Sequence, residues 1–224
     1  MTTKRTYGEA CAAAHALDLV GERWAMLVVR ELLLGPKRFT DLREGILHAS
    51  PNVLAQRLRD LERSGVVQRR KLPPPFGSWV YELTDWGMEL APVLNELGRW
   101  GSRSPLRPQD AGMSVDSHIL ALRAMFDPEI AGDLRATYAL RLGENRFQVD
   151  VADGAIAVGR GDPAAPVAVI EAEPGTLAAL IWGGMPLKEA LRGGDVRIEG
   201  DEDAVARFLT LFPLGEPAAL AAST

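Results

Sequence analysis

The sequence predicts an α+β protein made of two domains that differ in make-up. Three observations carry this. The first half reads as helices followed by two strand-like runs around a proline-rich turn, Pro73-Pro74-Pro75-Phe76-Gly77-Ser78. An aperiodic stretch, Gly101 to Gly112, then interrupts the chain. Beyond it, short alternating strands mix with capped helices. The expected division is 1–104 for the first domain, 105–112 for a linker, 113–214 for the second domain and 215–224 for an Ala-rich tail.

Each element has its own signal. Leu17, Val20, Trp24, Leu27 and Val28 recur at helical spacing, and Gly35-Pro36 ends that helix. Thr40 caps a short helix over 41–45, with Asp41 and Glu44 near its positive end. Ser50-Pro51 starts a third helix, a capping oxygen followed by a proline where no N–H is missed. Leu54, Leu58 and Leu61 form its inner stripe and Ser64-Gly65 closes it. Strands 66–72 and 79–83 make a hairpin with a stiff tip. Thr84 caps a helix whose stripe runs Trp86, Leu90, Val93, Leu97 and Trp100, a seam-like spacing. In the second half a helix over 115–125 precedes strands 136–142, 146–151, 155–159 and 167–172, expected to form an antiparallel sheet. Asp153-Gly154 marks a tight turn. A helix capped by Thr176, a short one opened by Pro186, a strand over 196–199 and a last helix capped by Asp201 complete the chain.

Composition narrows the class. Of 224 residues, 47% are hydrophobic and 25% charged, ordinary for a globular chain, so a disordered or collagen-like protein is excluded. No apolar run reaches the roughly 18 residues that span a membrane, and the first residues lack the apolar stretch of a signal peptide. One cysteine, Cys11, cannot make an internal disulfide, which fits a cytoplasmic protein. The net charge of −5 is unevenly spread: residues 1–105 hold 15 basic and 12 acidic residues, residues 106–224 hold 10 and 18. Between Lys37 and Lys71 stand nine basic and four acidic residues. A phosphate backbone responds to that local footprint rather than to the average.

The third helix and the hairpin carry the clearest chemistry. With the leucines inward, Asn52, Ala55, Gln56, Arg59 and Arg63 face out. Asn, Gln and Arg match base edges in the major groove, and Ala can touch a thymine methyl. Arg69, Arg70 and Lys71 lie on the hairpin, where a wing meets phosphates. Lys37, Arg38 and Ser50 complete the candidate DNA-binding set. Short helix, turn, polar-faced helix and basic hairpin is the winged helix-turn-helix order, and double-stranded DNA is the expected partner. A solvated helix face beside an ordinary hairpin is the blander reading; the cap, the basic wing and the local charge together favour DNA.

The residues from Cys11 through Trp24, Gly35-Pro36-Lys37-Arg38-Phe39-Thr40-Asp41-Leu42, Leu54-Ala55-Gln56-Arg57-Leu58 and Tyr81-Glu82-Leu83-Thr84-Asp85-Trp86-Gly87 resemble HxlR-type bacterial transcription regulators over about residues 7–104. The resemblance implies a homodimeric, MarR-like DNA binder. Relatives often carry lysine near position 52 and serine or threonine at 55, so the target sequence does not transfer to Asn52 and Ala55. Some relatives sense oxidants or electrophiles through a cysteine placed like Cys11; a small buried residue is the blander reading of this one.

The second half, about 115–213, resembles the sterol carrier protein type 2 fold through Glu171 to Asp201, with its Trp182-Gly183-Gly184 turn and Val196-Arg197-Ile198-Glu199-Gly200-Asp201 ending. That resemblance implies an apolar cleft, and Leu177, Leu180, Ile181, Trp182, Met185, Leu187 and Leu191 are the candidate lining for a small apolar ligand, if they are not simply core. No metal-ligand spacing links His15, His48 or His118 to Cys11 or to carboxylates, and no phosphate loop or nucleophile elbow occurs. The expectation is therefore a non-enzymatic, cytoplasmic regulator that binds operator DNA as a dimer and is modulated by a small apolar effector in the second domain, without cofactor, metal or membrane contact. Two alternatives stay open: a lipid-binding or carrier protein whose active part is the second domain, and an enzyme built on that domain.

Overall fold

A computed structural model describes residues 6–108 and 111–219. Lys4 and Arg5, residues 109 and 110 of the expected linker, and residues 220–224 of the expected tail lie outside the described residues. The chain forms two compact units, 1–94 with 112–116, and 95–111 with 117–224.

The first unit opens with α1 (Ala12–Val20) and α2 (Ala25–Leu32) where the periodicity predicts one helix. The break falls at Gly21, where a Cβ would stand 2.5 Å from the Leu17 carbonyl oxygen, and at Trp24, whose φ of 77° is left-handed. Side-chain periodicity runs through such a break because it records burial, not backbone continuity. Next come α3 (Phe39–Gly45) and α4 (Pro51–Arg63). The Ser50 hydroxyl accepts from the Val53 N–H, which fixes where α4 begins. Leu54, Leu58 and Leu61 are buried, and truncating any one to Ala would cost about 2–5 kcal/mol.

The hairpin pairs β1 (Val67–Lys71) with β2 (Trp79–Leu83), antiparallel, in the register Arg69↔Tyr81 and Lys71↔Trp79. Lys37 extends it by exchanging backbone hydrogen bonds with Tyr81. The helix expected after Thr84 is again two, α5 (Asp85–Met88) and α6 (Leu90–Ser102). Thr84 caps α5 by accepting from the Gly87 N–H at 3.0 Å. Gly87 is required there because a Cβ would collide with the Val66 carbonyl. Residues 90–94 of α6 fall in the first unit and 95–102 in the second, so the division passes through this helix.

The second unit holds the rest of α6, most of α7 (Val115–Met125), α8 (Pro128–Ala131), and a five-stranded sheet in the order β5-β4-β3-β6-β7. Its strands are β3 (Ala136–Leu142), β4 (Asn145–Ala152), β5 (Ala155–Arg160), β6 (Ala168–Ala172) and β7 (Val196–Gly200). All neighbours are antiparallel except β3 and β6, which run parallel. The expected antiparallel sheet holds at three of its four pairs, and β3–β6 departs from it: alternation shows which face a residue takes, not which strand lies beside it. Helices α9 (Pro174–Trp182), α10 (Leu187–Gly193) and α11 (Glu202–Leu209) complete the unit. Tyr138 and Phe208 pack with ring centroids 4.6 Å apart, and Phe208 meets Phe212 at 5.0 Å.

Candidate nucleic-acid interface

The outward face of α4 is organised by side-chain hydrogen bonds. Arg59 donates to the Gln56 amide oxygen at 2.7 Å, and the Gln56 amide nitrogen donates to Asp60 at 2.9 Å. Arg63 meets the same Asp60 oxygen at 3.2 Å. Asp60 therefore holds Gln56 and Arg63 directly and Arg59 through Gln56, a role the sequence reading did not assign. Arg57, also unassigned, is largely buried and pairs with Asp60 at 3.4 Å and Glu22 at 3.6 Å. Its i,i+3 spacing to Asp60 was the available signal. Asn52, Arg59 and Arg63 are exposed, Ala55 and Gln56 half-buried.

The wing has two faces. The Arg69 guanidinium lies over the Trp79 ring at 4.5 Å and 5.8 Å from that of Tyr81. Lys71, two residues on, shares its side of the strand and is exposed. Arg70 points the other way, donating to both oxygens of Glu82 at 2.7 Å, and Gln68 joins the same carboxylate at 3.0 Å. At the tip, Phe76 is exposed.

Two expected contacts are placed differently. Arg38 is held by Asp41, whose carboxylate takes both its guanidinium and its backbone N–H. Burial alone would raise the Asp41 carboxyl, but those bonds and the Arg38 charge bring it below its ordinary value. Lys37 turns inward, and its place in the DNA-binding set is corrected: its ammonium lies 2.5 Å from Glu31 and 2.7 Å from Asp116, with 12% of the side chain exposed. Both carboxylates are buried, so the charge compensates them rather than a phosphate. Arg30 and the Ser114 hydroxyl donate to the other Glu31 oxygen at 2.9 and 2.6 Å. Burial would push the Glu31 carboxyl up; the Lys37 charge and hydrogen bond, Ser114 and Arg30 outweigh it and hold it down.

Cys11 is exposed and stands at the N-cap of α1. The Ala14 and Ala13 backbone N–H groups at the start of α1 lower its thiol pKa. The buried reading of this residue does not hold.

The seven residues expected to line a ligand cleft are only partly gathered. Leu177 and Leu180 are buried core of the second unit. Ile181, Trp182, Met185, Leu187 and Leu191 are half-buried. The Trp182 indole N–H donates to the Phe212 carbonyl at 2.9 Å, which fixes the ring as a packing element. None of the seven lines the groove of about 850 Å³ that the second unit carries around Trp100. Among the described residues no group of three or more His, Cys, Asp or Glu could hold a metal ion, and no helix is long and apolar enough to cross a membrane.

Comparison with known proteins bears on both units. The HxlR-like helix-turn-helix model matches residues 19–107. The uncharacterised HTH-type transcriptional regulator YvaP of Bacillus subtilis is 39% identical over 87 residues, which cover 81% of that protein and 39% of this chain. The chain belongs to the HxlR-like helix-turn-helix family. A second HxlR-like relative, the regulator YodB of Bacillus subtilis, is 38% identical over 88 residues, 79% of its length and 39% of this chain. A solved structure of YodB in its quinone-bound form is 35% identical, covering 93% of that chain and 40% of this one, with a TM-score of 0.35. These HxlR-like alignments leave the second half aside. That half matches a different model, the SCP-2 sterol transfer family, over residues 119–213.

Proposed function

We propose that this protein is a transcription regulator that binds double-stranded operator DNA as a homodimer. The observation that carries the reading is α4, where Ser50 sets the start, three buried leucines fix the rotation, and Asp60 aligns Gln56 and Arg63 on the outer side, with Arg59 on Gln56. Asn52, Ala55, Gln56 and Arg59 address base edges; Ser50, Arg63, Arg69 and Lys71 serve the backbone. Arg38 and Arg70, each occupied by a carboxylate, reach phosphate only by exchanging partners. The dimer forms through α6, where Val93 and Leu97 are about half exposed. Selection of genomic fragments with the full chain tests this. One recovered motif with two half-sites about one helical turn apart supports it; retention of all fragments alike refutes it.

Cys11 is the proposed sensor of electrophiles. Helix N–H groups favour its thiolate, and the quinone-bound structure of the related YodB indicates the class of electrophile. Thiolate addition to a quinone carbon forms one C–S bond and, after proton uptake, a hydroquinone thioether. Benzoquinone should react with Cys11 faster than with glutathione at neutral pH and should change operator affinity. An adduct that leaves affinity unchanged removes the sensing role. A second reading, a carrier of apolar molecules, is favoured by the SCP-2 match to the second unit. Co-purified lipid together with indifference to DNA sequence would support it instead.

A further inference from the structure

The second unit carries a groove of about 850 Å³ between the last turns of α6, the segment around Phe126 and Glu129, and the chain at 213–216. Its size suits a small organic ligand. It lies outside the Leu177–Leu191 stretch and combines residues from both matched segments.

Two chemistries meet there. Trp100, 74% exposed, and Leu214, 42% exposed, offer apolar surface above the nearly buried Met125 and Phe126. Two arginines hold the walls through backbone carbonyls: the Arg99 Nε donates to Ala124 at 3.0 Å and the Arg103 Nε to Glu216 at 2.8 Å. Against these two guanidiniums the lining sets four carboxylates. Asp127 is engaged by the Glu129 and Ile130 N–H groups as the cap of α8. Glu96, Glu129 and Glu216 have exposed side chains, and none forms an ion pair within the described residues. The local balance is therefore acidic, and residues 106–224 as a whole hold 18 acidic against 10 basic residues. Such a field attracts cations and repels anions. An exposed indole beside carboxylates adds the means by which organic cations are recognised, through attraction to the ring face.

The geometry points to this groove as a binding site for an amphipathic organic cation. The apolar body lies on Trp100, Met125, Phe126 and Leu214, and Glu96, Glu129 and Glu216 meet the positive charge. Fatty acids and other anionic amphiphiles are disfavoured. This goes beyond the operator reading, and its test contains no DNA, so the two stand or fall apart.

Tetraphenylphosphonium and tetraphenylborate have the same shape and opposite charge, and calorimetric titration of the full chain with each separates charge from apolarity. The phosphonium should bind one per chain, at least tenfold more tightly than the borate. Glu96→Gln with Glu129→Gln and Glu216→Gln should weaken the phosphonium at least tenfold and narrow the difference between the ions. Trp100→Ala should weaken the phosphonium with an unchanged far-UV spectrum. These are surface changes, and melting of each variant verifies its fold. Equal or tighter binding of the borate, absence of phosphonium binding, or full affinity in both folded variants would overturn the proposal.

Discussion

Replacing Lys37 with Met isolates the buried charge cluster of the first unit. Met keeps the length of the apolar stem and leaves the backbone pairing with Tyr81 intact, so the change removes the ammonium and little else. Glu31 and Asp116 have 0% and 2% of their side chains exposed, and Lys37 contacts both. Removing one member of a buried ion pair costs about 3–5 kcal/mol, because the charge left behind is uncompensated. Arg30 and Ser114 still serve Glu31, which points to the lower end, near 3 kcal/mol. In a unit of this size that corresponds to a melting shift of roughly 12 °C or more. Tryptophan fluorescence can follow the transition, since Trp24, Trp79 and Trp86 lie in the first unit. The pH dependence gives an independent signature. The folded Glu31 pKa is depressed, so its stabilisation is present above the unfolded value, about 4.3, and is lost as pH falls through the folded value. The difference between Lys37→Met and the parent should therefore narrow on acidification below roughly pH 5. A loss under about 1 kcal/mol, with no change in pH dependence, would show that water already compensates these charges and would refute the reasoning.

Other expectations follow from the interface and the packing. Gln56→Ala and Arg59→Ala should each weaken operator binding by about 1–3 kcal/mol and random DNA by less, whereas Arg69→Ala or Lys71→Ala should weaken both alike and flatten the salt slope by about one; titrations at several salt concentrations distinguish them. Leu97→Glu should yield monomers with poor operator affinity, since it places a charge in the proposed α6 seam; a stable dimer by light scattering would move the interface elsewhere. Gly87→Ala should destabilise the first unit by several kcal/mol, because its Cβ meets the Val66 backbone carbonyl, which has no rotamer to yield; a melting temperature within 2 °C of the parent, about half a kcal/mol, would contradict this.

Much of the local structure was legible in the chain. Ser50-Pro51 announced α4, three leucines set its inner face, and the proline-rich tip marked the wing, because capping and periodicity depend on residues a few positions apart. Where the backbone breaks without losing periodicity, at Trp24 and again before Leu90, the pattern alone read one helix for two. The parallel β3–β6 pair was hidden for a related reason, since strand order depends on how distant segments pack. The same limit decided the sites. Lys37 read as a surface cation because its partners stand six residues back and in the segment beyond the aperiodic stretch; only the folded chain brings Glu31 and Asp116 to it. It also shows why a fragment ending at residue 105 would lack the Ser114 and Asp116 contacts of the first unit. Apolar residues around Trp182 read equally as core or cleft, and packing made Leu177 and Leu180 core and tied the indole to Phe212. The groove beside Trp100 had no sequence signal, for its walls come from segments more than 100 residues apart. Sequence determined which faces are apolar, basic or capped, because those properties belong to single residues and their near neighbours. Tertiary structure alone decided which charges are spent inside and which surfaces stay open, because electrostatic compensation and burial are properties of neighbours in space.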